Sequence, residues 1–362
     1  MGDAGLSGDT SEHGDAGIQV ANLYYMVRSF DDDGDLKLEV GQRASKQTFV
    51  VCSKALSRAS KPFKTMLYGP YAESKPVSQT TSPEWTVALP DDNPDALAVL
   101  LNIVHGIFDK VPATLDRGQL FRICVLTDKY DMTHILRPWA RQWMEPFLQR
   151  SIGKKGDEYL LWIAYVLGEQ DLFLKVQKYI YNGFTLDKHG NMLCPFGRRL
   201  DDSVYVVKVA DLDALARLRA KKIDQLLGCV HTMLSRLAAA EDSDYKCKSR
   251  KEADETQEPL QSQECRAFYL GSLIRSLNSA GYFPLPSSAT LGCSINQLRD
   301  HLDSVCDSMQ KMKSLSGPDT KHGNCAPGGE LRKSIDSIAT GLVLAEARKK
   351  QLAQQAKKSG LG

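Results

Sequence analysis

Residues 36–40 alternate apolar and polar side chains, a pattern typical of a half-buried strand. The apolar members of the first strand share one face and the charged members lie on the other: Leu36, Leu38 and Val40 against Lys37 and Glu39. A short link that contains Gly41 leads to a second β-rich run at residues 45–51. Strand, short glycine-containing link and strand predict a β-hairpin.

The pattern changes at Cys52-Ser53 from a period of two to helical spacing. Apolar positions then recur three and four residues apart, at Leu56, Ala59, Phe63, Met66 and Leu67. Ser53 and Ser60 are each suited to cap a helix, and Pro62 fits a first turn, where no internal N–H bond is lost. The stretch therefore predicts two short helices rather than one.

A third strand and further helices follow. The third strand is predicted at residues 85–89, and Asn93-Pro94 then begins a helix. The apolar stripe of this helix comprises Leu97, Leu100, Leu101, Val104 and Phe108. Two more helices are expected over residues 120–130 and 132–148. One small sheet with helices packed on it is an α+β arrangement.

The rest of the chain is predicted to be all-α. Amphipathic helices are expected at residues 158–167, 172–181, 212–237, 266–279, 295–312 and 331–352. Ser294 and Gln297 have the spacing of a capping box before the fifth of these. Residues 241–264 are dense in mixed charge and have no apolar period, which predicts a disordered insertion.

These elements define the domain organisation and the fold class. The segments are a disordered arm over 1–17, an α+β domain over 18–148, a helical extension over 149–240, the insertion over 241–264 and a C-terminal helical region over 265–362. The segment from Ile18 to Phe30 is apolar enough to order against its own domain or a partner copy. The fold class is α+β, a small β-sheet flanked by helices, followed by an all-α C-terminal region.

Composition narrows the function classes. Lys and Arg number 46 against 44 Asp and Glu, so no global field favours nucleic acid or an anionic membrane. The first twenty residues contain no apolar core of a secretory signal. The longest apolar stretches, such as residues 159–167, fall well short of the roughly 20 residues that a membrane helix needs. We expect a cytoplasmic or nuclear protein that does not bind membranes.

Several segments of the first half carry a family resemblance. They are Asp35-Leu36, FVVCSKAL at residues 49–56, SKPFKTML at 60–67, VALPDD at 87–92 and LTDKY at 126–130. On these segments, residues 31 to about 148 resemble a BTB/POZ domain of the divergent fungal type. The motif and core residues are Asp35, Phe49, Cys52, Leu56, Ser60, Phe63, Met66, Leu67, Leu97, Leu101 and Tyr130.

The resemblance implies a protein-interaction module. Domains of this family self-associate, and some present substrates to cullin ubiquitin ligases, with a cullin-facing surface here between Glu84 and Tyr130. The sequence departs from many animal members, which carry a histidine at the position of Cys52 and a tyrosine near Val104-His105-Gly106. We expect association to bury the segment from Ile18 to Phe30 and the exposed flanks of the helices over 94–108 and 120–148.

Cys52 has two interpretations. A nucleophilic cysteine needs its pKa lowered by a helix N-terminus or a nearby base, and Cys52 precedes a predicted helix with Lys54 close by. No histidine is tied to it by local sequence, and no Gly-x-Ser-x-Gly elbow surrounds it. The favoured interpretation is a semi-buried structural thiol.

The last third of the chain offers a candidate zinc site. Cys247 and Cys265 flank the charged insertion, and His322 and Cys325 have the two-residue gap of a metal knuckle. Four such ligands would clamp a tetrahedral zinc and tie the insertion to the C-terminal helices. The favoured alternative is a set of unpaired thiols, because no Cys-x-x-Cys pair is present.

No motif of an enzyme stands out. The sequence contains no Walker A, dinucleotide-binding, His-Glu-x-x-His or kinase signature. The cations from Arg348 to Lys358 suit a helix C-terminus, with a nuclear import signal as the alternative. We expect a non-enzymatic adaptor without a cofactor that binds proteins, with a homodimer and a cullin as candidate partners. The alternatives are a homo-oligomeric scaffold without cullin binding and a zinc-stabilised nuclear factor. The charge balance disfavours nucleic-acid binding.

Overall fold

A computed structural model describes residues 27–76, 84–239, 258–311, 325–338 and 341–362. The chain is α+β and mostly helical, with a small sheet in its first part. The first part contains β1 (Val27–Ser29), β2 (Leu36–Val40), β3 (Gln47–Val51), α1 (Ser53–Ala59), α2 (Lys61–Tyr68), β4 (Thr86–Leu89), α3 (Pro94–Val104), α4 (Arg117–Lys129) and α5 (Arg137–Leu148). The second part contains α6 (Leu160–Leu167), α7 (Gln170–Gly183), β5 (Thr185–Leu186), β6 (Met192–Leu193), α8 (Val204–Ala210), α9 (Leu212–Ala238), α10 (Glu258–Ser279), α11 (Ile295–Lys311), α12 (Gly328–Ser337) and α13 (Glu346–Ser359).

The four-stranded sheet has the order β1-β3-β2-β4. β2 and β3 form the predicted antiparallel hairpin, with Leu38 opposite Phe49, and β4 runs parallel to β2. The alternating apolar positions of β2 and β3 are buried, as their pattern predicts. β1 pairs in parallel with β3 of the same chain, so the last part of the predicted Ile18–Phe30 segment orders against its own domain. Residues 18–26 and the predicted arm over 1–17 lie outside the described ranges.

The break between α1 and α2 is confirmed, but one of the two predicted caps is wrong. The Ser60 hydroxyl accepts a hydrogen bond from the N–H of Phe63 at 3.0 Å, so Ser60 caps α2 as predicted. Ser53 instead is the first residue of α1, and its N–H donates to the carboxylate of Asp35 at 2.8 Å. Asp35, in the loop before β2, thus accepts an N–H group of the first turn of α1, which is the role that the sequence predicts for Ser53.

α3 begins as predicted and ends earlier. Asn93 caps it, and Leu97, Leu100 and Leu101 are buried. The sequence predicts Phe108 on the same stripe, but its side chain is 59% exposed. The helix ends at Val104, and Gly106 then takes a positive φ of 74°, which turns the chain before Phe108.

The second part is not all-α, because β5 and β6 form a short antiparallel hairpin. The Asp187 carboxylate stabilises its turn by accepting the N–H groups of His189 and Asn191 at 2.8 and 2.9 Å. Each strand has only two residues, too few for an alternating pattern to be recognised in the sequence.

Two predicted boundaries in the last third are also wrong. The sequence predicts residues 258–264 as part of the disordered insertion, but they form the first turns of α10, while 240–257 lie outside the described ranges. The single helix predicted over 331–352 is two helices, α12 and α13. Between them, Leu342 and Leu344 are buried and their neighbours are exposed, the period of extended chain rather than helix.

The C-terminal helix α13 packs on α6, on α5 and on the turn before α5. The Ser359 hydroxyl donates to the carbonyl of Leu167 at 2.5 Å, and the Arg137 guanidinium donates to the carbonyls of Lys357 and Lys358 at 2.7 and 3.0 Å. Two carbonyl groups in the last turn of α13 therefore accept hydrogen bonds from a side chain in the first part of the chain. One apolar core continues through both parts, and it buries Trp143 and Trp162.

Candidate interaction surface

An apolar cleft of about 400 Å³ opens between α1, the end of α3 and the start of α5. It is lined by Ala55, Arg58, Ala59, Ile103, Val104, Phe108, Ile135, Pro138 and Trp139. Arg58 is its only charged lining residue, and none of the lining residues is acidic. Its lining residues from Ile103 to Phe108 and from Ile135 to Trp139 lie in the regions 94–108 and 120–148, for which the sequence predicts association. We call it the α1–α5 cleft.

Two aromatic side chains form the wall of the α1–α5 cleft. The rings of Phe108 and Trp139 have centroids 5.7 Å apart, and Trp139 stacks on the buried Trp143 at 6.2 Å. Trp143 is fixed in turn, because its indole N–H donates to the carbonyl of Pro112 at 2.8 Å. The exposed Phe108 is thus supported from beneath, which gives a pre-formed aromatic surface.

The opposite wall, α1, is positioned by Asp35. Its carboxylate accepts the N–H and the hydroxyl of Ser53, both at 2.8 Å, and the ammonium of Lys75 at 2.9 Å. Burial raises the pKa of Asp35, but the hydrogen bonds from Ser53 and Lys75 outweigh burial, so its pKa lies below the usual value. The Ser53 hydroxyl also lies 2.6 Å from the hydroxyl of Tyr68. Asp35 therefore joins the loop before β2 to both short helices.

Cys52 is held through its backbone rather than its thiol. Its N–H donates to Nε2 of His105 at 3.1 Å, and Nδ1 of His105 lies 2.9 Å from the carbonyl of Leu101. Nε2 is the acceptor, so Nδ1 carries the proton and donates to that carbonyl. Local sequence did not tie a histidine to Cys52, yet the fold brings one there. The ring connects β3 to α3, which is a structural role.

Three of the motif residues meet at the start of α2. The Ser60 hydroxyl donates to the carbonyl of Tyr130 at 2.7 Å, and the ring of Phe63 stacks on that of Tyr130 at 4.2 Å. The Tyr130 hydroxyl donates to the carboxylate of Asp92, which Lys129 also contacts at 2.5 Å. Burial and then the bond to Asp92 raise the pKa of Tyr130, which keeps its phenol protonated. The remaining motif residues belong to the apolar core (Phe49, Leu56, Leu67, Leu97 and Leu101), with Met66 half-buried against it.

Replacing Ser60 with alanine should lower the free energy of unfolding by about 1–3 kcal/mol, because it removes the cap of α2 and the donor to Tyr130. Urea denaturation measures the change. Ser57→Ala is the matched control, since the Ser57 hydroxyl reaches only the carbonyl of Lys54 one turn earlier in α1. Equal losses in the two variants would contradict this role of Ser60.

The predicted zinc ligands fall partly outside the described ranges. Cys247 and His322 lie outside them, while Cys265 is buried on α10 and Cys325 is buried just before α12. Within the described residues, no group of three or more His, Cys, Asp and Glu side chains is arranged to hold a metal ion. The set of four ligands therefore stays a prediction.

The sequence matches no model of a known protein family, and no curated protein matches it either. Among the described helices, none has both the length and the apolar character needed to cross a membrane.

Proposed function

We propose that this protein is a non-enzymatic interaction adaptor whose first part binds other proteins through the α1–α5 cleft. The observation that carries the proposal is the pair of Phe108 and Trp139, with Phe108 59% exposed at the edge of an apolar cleft. Aromatic side chains of this kind are enriched at protein interfaces and supply much of their binding energy. An exposed apolar surface has a free-energy cost in water that a protein partner removes.

The polar side chains that position the helices around the cleft are engaged in structural hydrogen bonds, which supports an interaction role. The carboxylate of Asp35 and the hydroxyls of Ser53 and Ser60 are hydrogen-bonded to helix termini and neighbouring elements. The ring of His105 bonds to the backbone of two elements. These groups position α1, α2 and α3, and this arrangement gives the cleft fixed walls.

Three more specific proposals rest on the resemblance to BTB/POZ domains. They are self-association of the first part, a role as substrate receptor for a cullin ligase, and action in the cytoplasm or the nucleus. The cullin-facing surface proposed for that role lies between Glu84 and Tyr130. Zinc binding through Cys247, Cys265, His322 and Cys325 is a separate prediction that elemental analysis of the purified protein tests.

Replacing Phe108 with serine should reduce the recovery of partner proteins by about tenfold, because an aromatic anchor of the cleft is lost. The measurement is quantitative affinity purification of the tagged full chain from its native cells. Phe196→Ser is the matched control, since Phe196 is also exposed but lies in the turn after β6, away from the cleft. Both substitutions are at exposed positions, so each should change the free energy of unfolding little.

Equal recovery of all partners by the Phe108 and Phe196 variants would contradict the proposal. Co-expression of an untagged copy reports self-association in the same experiment. A cullin among the recovered proteins supports the receptor role. Its absence under conditions in which a known BTB receptor captures it favours the scaffold.

A further inference from the structure

The helices α1 and α2 carry a cluster of cations with no acidic residue among them. Residues 53–68 contain Lys54, Arg58, Lys61 and Lys64 and neither Asp nor Glu. All four side chains are exposed. Within the described residues, none of the four forms an ion pair with a carboxylate. We call these four residues the α1–α2 basic face.

The basic face adjoins the apolar cleft. Arg58 belongs to both, because it lines the α1–α5 cleft between Ala55 and Ala59. The ammonium of Lys54, one turn earlier in α1, lies 4.0 Å above the ring of Tyr68. Like charges four residues apart destabilise a helix, so Lys54 and Arg58 repel each other until an anion lies near them. Arg58 therefore gives the apolar cleft one cation at its edge, and Lys54 lies one turn away on the same helix.

We propose that the α1–α5 cleft binds an acidic amphipathic segment of a partner protein. The apolar side chains of the segment pack on Phe108 and Trp139, and its carboxylates face Lys54, Arg58 and the neighbouring lysines. Amphipathic helices bind hydrophobic grooves in this way, and complementary charge at the edge sets orientation and association rate. The inference rests on the proposed function and specifies the partner class for the same surface.

The combination of surfaces favours a protein segment over nucleic acid. The bases of a single strand can stack on aromatic rings, but a nucleic acid also needs cations along its backbone, and Arg58 is the only charged residue that lines the cleft. A partner with acidic and apolar side chains uses both surfaces at once. Apolar burial contributes affinity at the centre, and charge contributes specificity at the edge.

Fluorescence anisotropy with the full chain tests the inference. The probes are a labelled peptide with Leu and Glu at amphipathic helical spacing and a matched peptide with Lys in place of Glu. The Glu peptide should bind and the Lys peptide should not. The double substitution Lys54→Glu with Arg58→Glu should weaken binding of the Glu peptide about tenfold or more and reduce the salt dependence of its affinity. Phe108→Ser should weaken it independently of salt.

The matched control is Arg217→Glu with Lys221→Glu, an exposed pair of cations with the same spacing on α9. Equal weakening by the control and the α1 double variant would overturn the inference. Displacement of the Glu peptide by a single-stranded oligonucleotide that binds the Phe108→Ser variant undiminished would assign the basic face to phosphate instead.

Residues 1–26 are an acidic segment of this chain that could itself occupy the cleft. They contain Asp3, Asp9, Glu12 and Asp15 and no lysine or arginine. Binding of the Glu peptide only after removal of residues 1–26 would assign the cleft to this chain's own acidic segment and overturn the inference. If the Glu peptide fails to bind while partner recovery still depends on Phe108, the acidic partner is wrong and the adaptor function stands.

Discussion

Replacing Gly168 with alanine should displace the C-terminal helix α13 and lower the free energy of unfolding by about 3–5 kcal/mol. A Cβ at this position would lie 2.0 Å from the backbone N of Ala356 and 2.6 Å from the carbonyl oxygen of Leu352. Both atoms belong to the backbone of α13, so no side-chain movement relieves the overlap. Gly168 also has a φ of 80°, a conformation that alanine adopts at a cost.

Displacement of α13 has a large effect because the helix connects both parts of the chain. It buries Leu352 and Ser359 and holds Arg137 through its last carbonyls. Urea denaturation measures the loss of stability, and hydrogen exchange in α13 locates it. Gly190→Ala is the matched control, since Gly190 has a φ of 83° but no atom within 4 Å of the added Cβ. The control should lose only about 1 kcal/mol, and equal losses in both variants would contradict the close packing.

Replacing Asp157 with asparagine should lower the free energy of unfolding by about 3–5 kcal/mol, because it leaves two arginines without their buried anion. The fully buried carboxylate accepts hydrogen bonds from Arg117 at 2.7 Å and Arg150 at 2.5 Å. It also accepts the N–H groups of Gly153 and Lys154 at 2.9 and 2.8 Å. One side chain thus joins α4 and the end of α5 to the start of α6.

The same carboxylate predicts a pH dependence of stability. Burial raises the pKa of Asp157, but the hydrogen bonds from Arg150 and from the two N–H groups outweigh burial and leave the pKa below its usual value. A carboxyl group whose pKa is lowered on folding stabilises the fold above its unfolded pKa of about 3.9. That stabilisation is lost as the pH falls through the lower folded value.

Denaturation at a series of pH values should therefore show a wild-type advantage over Asp157→Asn that is constant near neutral pH and shrinks below about pH 4. Asp201→Asn is the matched control, because Asp201 pairs with Arg199 at the surface and should contribute little. An advantage over Asp157→Asn that persists unchanged to the lowest pH at which the fold survives would contradict the role of the ionised carboxylate.

Elements encoded by local hydrogen bonds could be predicted from the sequence. Ser60 and Asn93 each cap the helix that follows, and both helices begin as predicted. The capping box is confirmed, since Ser294 and Gln297 exchange their side-chain and backbone bonds at 3.1 and 2.8 Å. Such motifs need partners only three residues apart, so the order of the chain reveals them.

Features that depend on distant residues could not be predicted. The contact of Asp157 with Arg117 joins residues 40 positions apart, and that of Cys52 with His105 joins residues 53 apart. Neither pair has a spacing that marks it in the sequence. The exposure of Phe108 depends on where α3 ends, because continued helix would have kept it on the buried stripe. The α1–α5 cleft is formed by residues of α1, α3 and α5 and of the turns beside them, which are distant in the sequence. The cleft therefore could not be predicted from local patterns.

Photo-crosslinking at position 108 in native cells tests most directly that the α1–α5 cleft binds proteins. A photoreactive phenylalanine analogue replaces Phe108 in one full-length variant and Phe196, which is 50% exposed, in another. Binding at the cleft predicts discrete crosslinked protein species from position 108 that are absent from position 196 and that diminish when Lys54 and Arg58 are changed to Glu. Position 108 yielding no species beyond those of position 196 would contradict it.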